Sequence, residues 1–222
     1  MGRYCVAVTG ASGAAYARRL TGVLCAAGHR VELLVTAAGF AVMAHELDWD
    51  DARYAGPDGL SGRVRRFFAP QAPAGALRYH PIHDVLDGLA SGSVRLDGMV
   101  VIPCTMGRVA AIAAGRSSDL LERCADVTLK EGRPLLVVPR ETPLSLIHLR
   151  NLTSLAEAGA IVLPAMPGFY HRPARVEDIV DFLVAKVLAR LGLEQDLLAS
   201  WDALRDAPRT LDGGGGRGPR NA

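Results

Sequence analysis

Short apolar runs alternate along this chain with stretches of helical spacing. The runs "CVAV" (5–8), "VELLV" (31–35), "GMVVIP" (98–103), "PLLVVP" (134–139) and "AIVLP" (160–164) are aliphatic and bounded by turn formers. Strands buried on both faces have this character. Helical spacing runs over 13–27, 37–47, 83–90, 106–128 with a break near Gly115, 145–158 and 176–191. Parallel neighbours need a crossover, normally right-handed. The pattern therefore predicts a single α/β domain with a Rossmann-like, flavodoxin-related parallel sheet and helices on both faces. Ligands of such sheets sit beyond the carboxyl ends of the strands, where "TGASG", "TAAG", "PCTMG", "PRETP" and "PAMPGFYH" all fall.

Two segments depart from the pattern. Residues 50–80 mix Gly, Pro and charges with little periodicity, which predicts a surface insertion with one short strand near Leu77 to His80. Phe67 and Phe68 within it, with Trp201 further on, read as exposed apolar content suited to a contact between copies. From about Asp206 the chain ends in "LDGGGGRGPRNA", too poor in apolar residues to offset chain entropy, so 206–222 is expected to be a disordered tail behind a domain of residues 1–205.

Composition narrows the function classes. The 222 residues carry 25 basic and 23 acidic side chains, so no global field argues for nucleic acid or an anionic membrane. No apolar run reaches the roughly 18 residues of a membrane helix, and no signal-like leader opens the chain. Cys5, Cys25, Cys104 and Cys124 are far apart without a C-x-x-C pair, which supports neither a zinc site nor a disulfide framework and fits a cytoplasmic setting.

The first turn carries the first candidate chemistry. A strand enters a helix through Gly10 and Gly13, where helix amides and the Ser12 hydroxyl face outward and suit a phosphate or another electron-rich group. The G-x-G-x-x-G dinucleotide fingerprint is absent, and the second strand ends at Val35-Thr36 without the acid that an adenosine ribose needs. Taken alone, the turn fits either a ligand loop or a purely structural connection. A second concentration of charge, Arg123, Lys130, Arg133, Arg140 and Glu141, surrounds one strand. Arg140 and Glu141 directly follow that buried strand on the predicted ligand rim, with Lys130 and Tyr170 expected on the same rim. A charge adjoining an apolar strand needs a partner or a ligand.

With "TGASGA" at 9–14, "SGS" at 91–93, "PCTMG" at 103–107, "ERCADVTLKEGRPLLVVPRETPLSLIHLRNL" at 122–152 and "PGFYHRP" at 167–173, the sequence resembles the UbiX-type flavin prenyltransferases over residues 4 to about 201. The resemblance implies an FMN-binding Rossmann-like subunit of a homo-oligomer, usually a dodecamer. Such a subunit transfers a dimethylallyl group from dimethylallyl phosphate to N5 and C6 of reduced FMN, without a metal. The product, prenylated FMN, would pass to a UbiD-type decarboxylase. Matched by position, Gly10, Ala11, Ser12, Thr36, Cys104, Thr105, Met106, Gly107 and Arg140 fall on flavin contacts. Arg123, Lys130, Tyr170 and Lys186 fall on contacts to the prenyl phosphate, Glu141 on the acid that assists phosphate loss, and Glu46 on an acid beside the flavin ring. Ser12 and Glu46 join Glu141 as the expected catalytic set. Where the family reads K-E-R-R-P this chain has "KEGRP", and Lys186 stands where Arg is common, giving a point charge for a bidentate fork.

Blander assignments stand beside these. "DWDD" (48–51) reads as solvated surface, the pair His80 and His83 as an ordinary turn interrupted by Pro81, Cys104 as small-residue packing, and His148 as a satisfied helix residue. Trp201 is an apolar cover over a neighbour's site or a terminal anchor. Two rival functions are an FMN-dependent cysteine decarboxylase, whose substrate loop differs from "PAMPGFYHRP", and a non-catalytic FMN carrier, which has no need of a second phosphate site.

Overall fold

The computed structural model describes residues 1–50, 52 and 56–199; the readings made for Trp201 and for 206–222 lie outside them. Six parallel strands form one sheet: β1 (Arg3–Val8), β2 (Arg30–Val35), β3 (Leu77–His80), β4 (Gly98–Cys104), β5 (Leu135–Pro139) and β6 (Ile161–Val162), in the order β3-β2-β1-β4-β5-β6. Alternation along β1 separates two cores. Tyr4, Val6 and Val8 pack with α1 (Ala14–Ala26), α2 (Ala37–Leu47), α3 (Gly59–Phe68) and α7 (Val176–Arg190). Cys5 and Ala7 face α4 (Met106–Ala113), α5 (Leu120–Lys130) and α6 (Leu146–Glu157) on the other side. The strand order reverses direction between β1 and β4, and a crevice opens there at the carboxyl ends of the strands. Among the described residues no helix is long and apolar enough to cross a membrane.

Two expectations change. The stretch 50–80 holds β3 where the sequence suggests it, and also α3, which is part of the core: Val64 and Phe67 are fully buried and Phe68 nearly so. Phe67 meets Trp49 and Phe68 edge-on at 5.2 Å each, and Arg18 lies 4.7 Å above its ring. Phe67 and Phe68 therefore offer no exposed surface to another copy. The helix expected over 83–90 shrinks to one 3-10 turn at Gly88–Ala90, capped by Asp87, because residues 81–87 form tight turns instead. Elsewhere the difference is at the ends. The break near Gly115 is real: α4 stops at Ala113 and Gly115 takes a left-handed φ of 65°.

Candidate active site

The rim of the sheet collects the loops after β1, β2, β4, β5 and β6. Thr9, 1% exposed, ties the first to the third: its Oγ1 donates to the Pro103 carbonyl at 2.8 Å and accepts the Thr105 amide at 2.9 Å. The next residue is fixed by close packing. A methyl at Gly10 would lie 2.6 Å from the Ala38 methyl, so only glycine lets this loop approach the start of α2 so closely.

A cavity of about 250 Å³ lies in this crevice, lined by Thr9, Gly10, Thr36, Ala37, Ala38, Ile82, His83, Thr105 and Arg108. Two helix N-termini converge on it. Thr36 caps α2 by accepting the Gly39 amide at 2.9 Å, and Thr105 caps α4 by accepting the Arg108 amide at 3.3 Å. The other first-turn amides have no intrahelical acceptor and carry the positive end of the helix dipole. Nothing lies within 4 Å of the position a Gly107 methyl would take, so the α4 backbone stands open there. Arg108 is held at the cavity edge by Asp119 and Glu122, each at 2.6 Å. This clamp is missed by sequence reading, although the spacing of Asp119 and Glu122 at an N-cap hints at it.

The α1 N-terminus differs from expectation. Its anion is already present, since Glu46 accepts the Gly13 amide at 2.9 Å and the Ala14 amide at 3.0 Å. Burial opposes ionisation of Glu46, but bonds from the Ser12 hydroxyl and the two amides, with the Arg140 charge nearby, hold its carboxyl below the usual range. Glu46 is therefore an anion at neutral pH, and the "TGASG" turn closes on the protein's own carboxylate.

At the end of β5, Arg140 and Glu141 stand together on the rim. Arg140 Nε is a buried donor without a hydrogen-bond partner, one of few such atoms among the described residues. Glu141 is exposed, and among the described residues its Oε1 accepts only the neighbouring Thr142 amide, at 3.0 Å. Both line a second cavity of about 250 Å³ with Leu144, Leu152 and Met166. Cys104 is fully buried, and burial pushes its thiol up to about 12, which leaves it unreactive. His148 completes a capping box with Ser145.

The four groups expected on the prenyl phosphate do not meet within one subunit. Tyr170 is on the rim, its ring 5.6 Å from Phe182, whereas Lys186 lies one turn beyond, 5.4 Å over that same Phe182 ring. Arg123 is on α5, on the opposite face of the sheet, where its Nε donates to the Ala90 carbonyl at 3.1 Å and its guanidinium pairs with Asp126 at 2.8 Å. Lys130 ends α5, four residues before Pro134 leads into β5, and pairs with Glu131 at 2.6 Å. It thus sits at the amino edge of the strand whose carboxyl end carries Arg140 and Glu141, and the expectation of Lys130 on the rim beside Tyr170 fails within one protomer. The physical reason is the crossover: α5 runs antiparallel to the strands, so its last turn is carried away from the ligand end.

A family model described as Flavoprotein matches residues 2–188. The flavin prenyltransferase UbiX of Synechocystis sp. is 50% identical over 194 residues, which are 87% of this chain and 93% of that protein. Among solved structures, AnUbiX (PadA1) in complex with FMN and dimethylallyl pyrophosphate superimposes with a TM-score of 0.78 at 36% identity, over 90% of this chain and 97% of that one. A dodecameric FMN-dependent Ubix-like decarboxylase from Escherichia coli O157:H7 gives 0.76 at 36% identity, over 90% and 98%.

Proposed function

The chain belongs to the flavin prenyltransferase UbiX family, and we infer from that membership that it transfers a dimethylallyl group from dimethylallyl phosphate to N5 and C6 of reduced FMN. The observation that carries this reading is the crevice between α2 and α4. Two capped helix ends facing one cavity suit a phosphate monoester, and the unpartnered Arg140 Nε on the same rim offers a further donor to a bound flavin. Thr36, Thr105, Met106 and Gly107 would hold the flavin's phosphate end, Gly10 and Ala11 would allow its close approach, Cys104 would pack beneath, and Arg140 would supply a further donor to it.

When bound, reduced FMN supplies the nucleophilic ring nitrogen. The chain supplies everything else. Glu46, anionic and fixed by two amides, accepts the Ser12 hydroxyl and holds that side chain beside the ring. Glu141 lines a cavity with the apolar Leu144, Leu152 and Met166, a setting fit for an allylic chain, and would relay to the departing phosphate the proton that the ring nitrogen loses on alkylation. Arg123, Lys130 and Lys186 neutralise charge that grows on that phosphate as it leaves, and the Tyr170 hydroxyl donates a hydrogen bond to it.

Because these cations are distributed over both faces and both ends of the sheet, a complete donor site needs side chains from more than one copy. The rim carries an exposed apolar surface suited to such contacts, with Ile147 and Phe169 each 68% exposed beside Leu146 and Met166. This supports a homo-oligomer, a dodecamer on the pattern of the Escherichia coli relative. Residues 1–205 make up the working unit, with 206–222 dispensable. The product, prenylated FMN, is handed to a UbiD-type decarboxylase. A cysteine decarboxylase or a bare flavin carrier is not favoured, because neither uses Glu141 with a second cationic set. The reading is tested by phosphate release: dimethylallyl phosphate should yield inorganic phosphate only when reduced FMN is present. Release that is indifferent to the flavin would contradict transfer.

A further inference from the structure

His80 is 2% exposed and lies between two carboxylates. Its Nδ1 is 2.5 Å from Asp87 Oδ2 and its Nε2 is 2.6 Å from Glu32 Oε2, while the other Glu32 oxygen accepts Arg3 Nε at 2.6 Å. Glu32 and Asp87 are both held below the usual carboxylate range, so each meets its ring nitrogen as an acceptor, both nitrogens carry protons, and the imidazolium balances the buried acids. The charged groups around it are Arg3 on β1, Glu32 on β2, Arg78 on β3, and Asp87 ahead of the 3-10 turn, with the neutral Cys5 thiol also on β1.

This pair closes a loop. Residues 81–86 leave the end of β3 and return to Asp87, whose other oxygen caps the Leu89 amide at 2.8 Å. Within the loop, the Ile82 carbonyl accepts the Leu120 amide at 2.9 Å, and Ile82 and His83 form one wall of the cavity between α2 and α4. The wall is therefore attached to the sheet through His80 at one end of the loop and Asp87 at the other.

Resting on the FMN reading above, we propose that His80 is a positioning residue: its imidazolium staples the 80–87 loop through Asp87 and Glu32, holds the Ile82 and His83 wall of the phosphate cavity, and so couples FMN affinity to its own protonation. Burial disfavours the charged ring, but the bonds to Glu32 and Asp87 outweigh it and raise the His80 pKa above its ordinary value. The staple is then complete at neutral pH and is lost as pH rises through that raised value, not on acidification.

The test compares FMN with riboflavin, which lacks the phosphate, by flavin fluorescence titration of the full chain from about pH 7 to about pH 9.5, above the second ionisation of a phosphate monoester near 6. FMN affinity should fall roughly three- to tenfold across the range, the weight of re-ordering a few wall side chains on binding. Riboflavin affinity should stay level. Asp87→Asn keeps an oxygen for the Leu89 cap but removes one counter-charge, and should move the fall to lower pH. Glu32→Gln removes the other counter-charge and should move it the same way, which keeps the test open if one variant fails to fold. A level FMN affinity in the wild type, a parallel fall for riboflavin, or an unmoved midpoint in a folded variant would overturn the inference alone. If the wild type binds neither flavin at any pH, the FMN reading itself fails.

Discussion

With Glu46 seated on the Gly13 and Ala14 amides, the charge logic at the rim divides between residues. Glu46 is fixed and anionic, so it orients and accepts. Glu141 is exposed and, among the described residues, accepts only the adjacent Thr142 amide, so its carboxyl is open to a ligand on the rim, in keeping with the role proposed for it at the leaving phosphate. Glu141→Gln should therefore leave FMN affinity intact and slow single-turnover prenylation by about 100-fold, the usual weight of lost acid-base assistance. A near wild-type rate with saturating donor would remove Glu141 from the chemistry. At this scale the sequence reveals residue types better than contacts. Arg140 and Glu141 are legible because charges directly after a buried strand stand out, whereas the Glu46 bonds to Gly13 and Ala14 cross from α2 to α1 and leave no local signature.

The elements show which patterns survive translation into structure. All six strands and most helices are legible, because short apolar runs and long helical periodicity outweigh local noise. The α3 helix is not, although Leu60, Val64, Phe67 and Phe68 follow the i, i+4, i+7, i+8 spacing of a buried helix face, because two glycines and three arginines in the ten residues of "GLSGRVRRFF" mask that stripe. Its place is set by tertiary burial of Val64, Phe67 and Phe68. Phe67→Ala should accordingly lower unfolding stability by about 3–5 kcal/mol, as truncation of a core aromatic does, and denaturant melts of the purified variant would measure it. A change under about 1 kcal/mol would return 59–68 to the status of a surface insertion. Helix ends explain the departure at "KEGRP" in the same terms: Gly132, just past α5, adopts φ 65°, the left-handed stop that glycine supplies without strain.

For the whole molecule, the separation of Lys130 from Glu141 by the length of β5 is the main fact that one sequence does not disclose. Adjacent positions in a motif, "K-E-G-R-P" and "P-R-E-T-P", look like one cluster along the chain but are held at opposite ends of the strand between them. If copies complete each other's donor sites, Lys130→Ala and Glu141→Gln subunits, each nearly inactive alone, should recover activity when co-assembled, because some sites then draw both intact groups from different chains. Mixed oligomers no more active than the two pure variants would place all donor contacts within one subunit. The most direct test of the account as a whole is the mass of the flavin recovered after purified protein is incubated with reduced FMN and dimethylallyl phosphate. The recovered flavin should be FMN carrying one added dimethylallyl group, joined at N5 and C6; unmodified FMN from folded, flavin-loaded protein with donor in excess would rule out prenyl transfer.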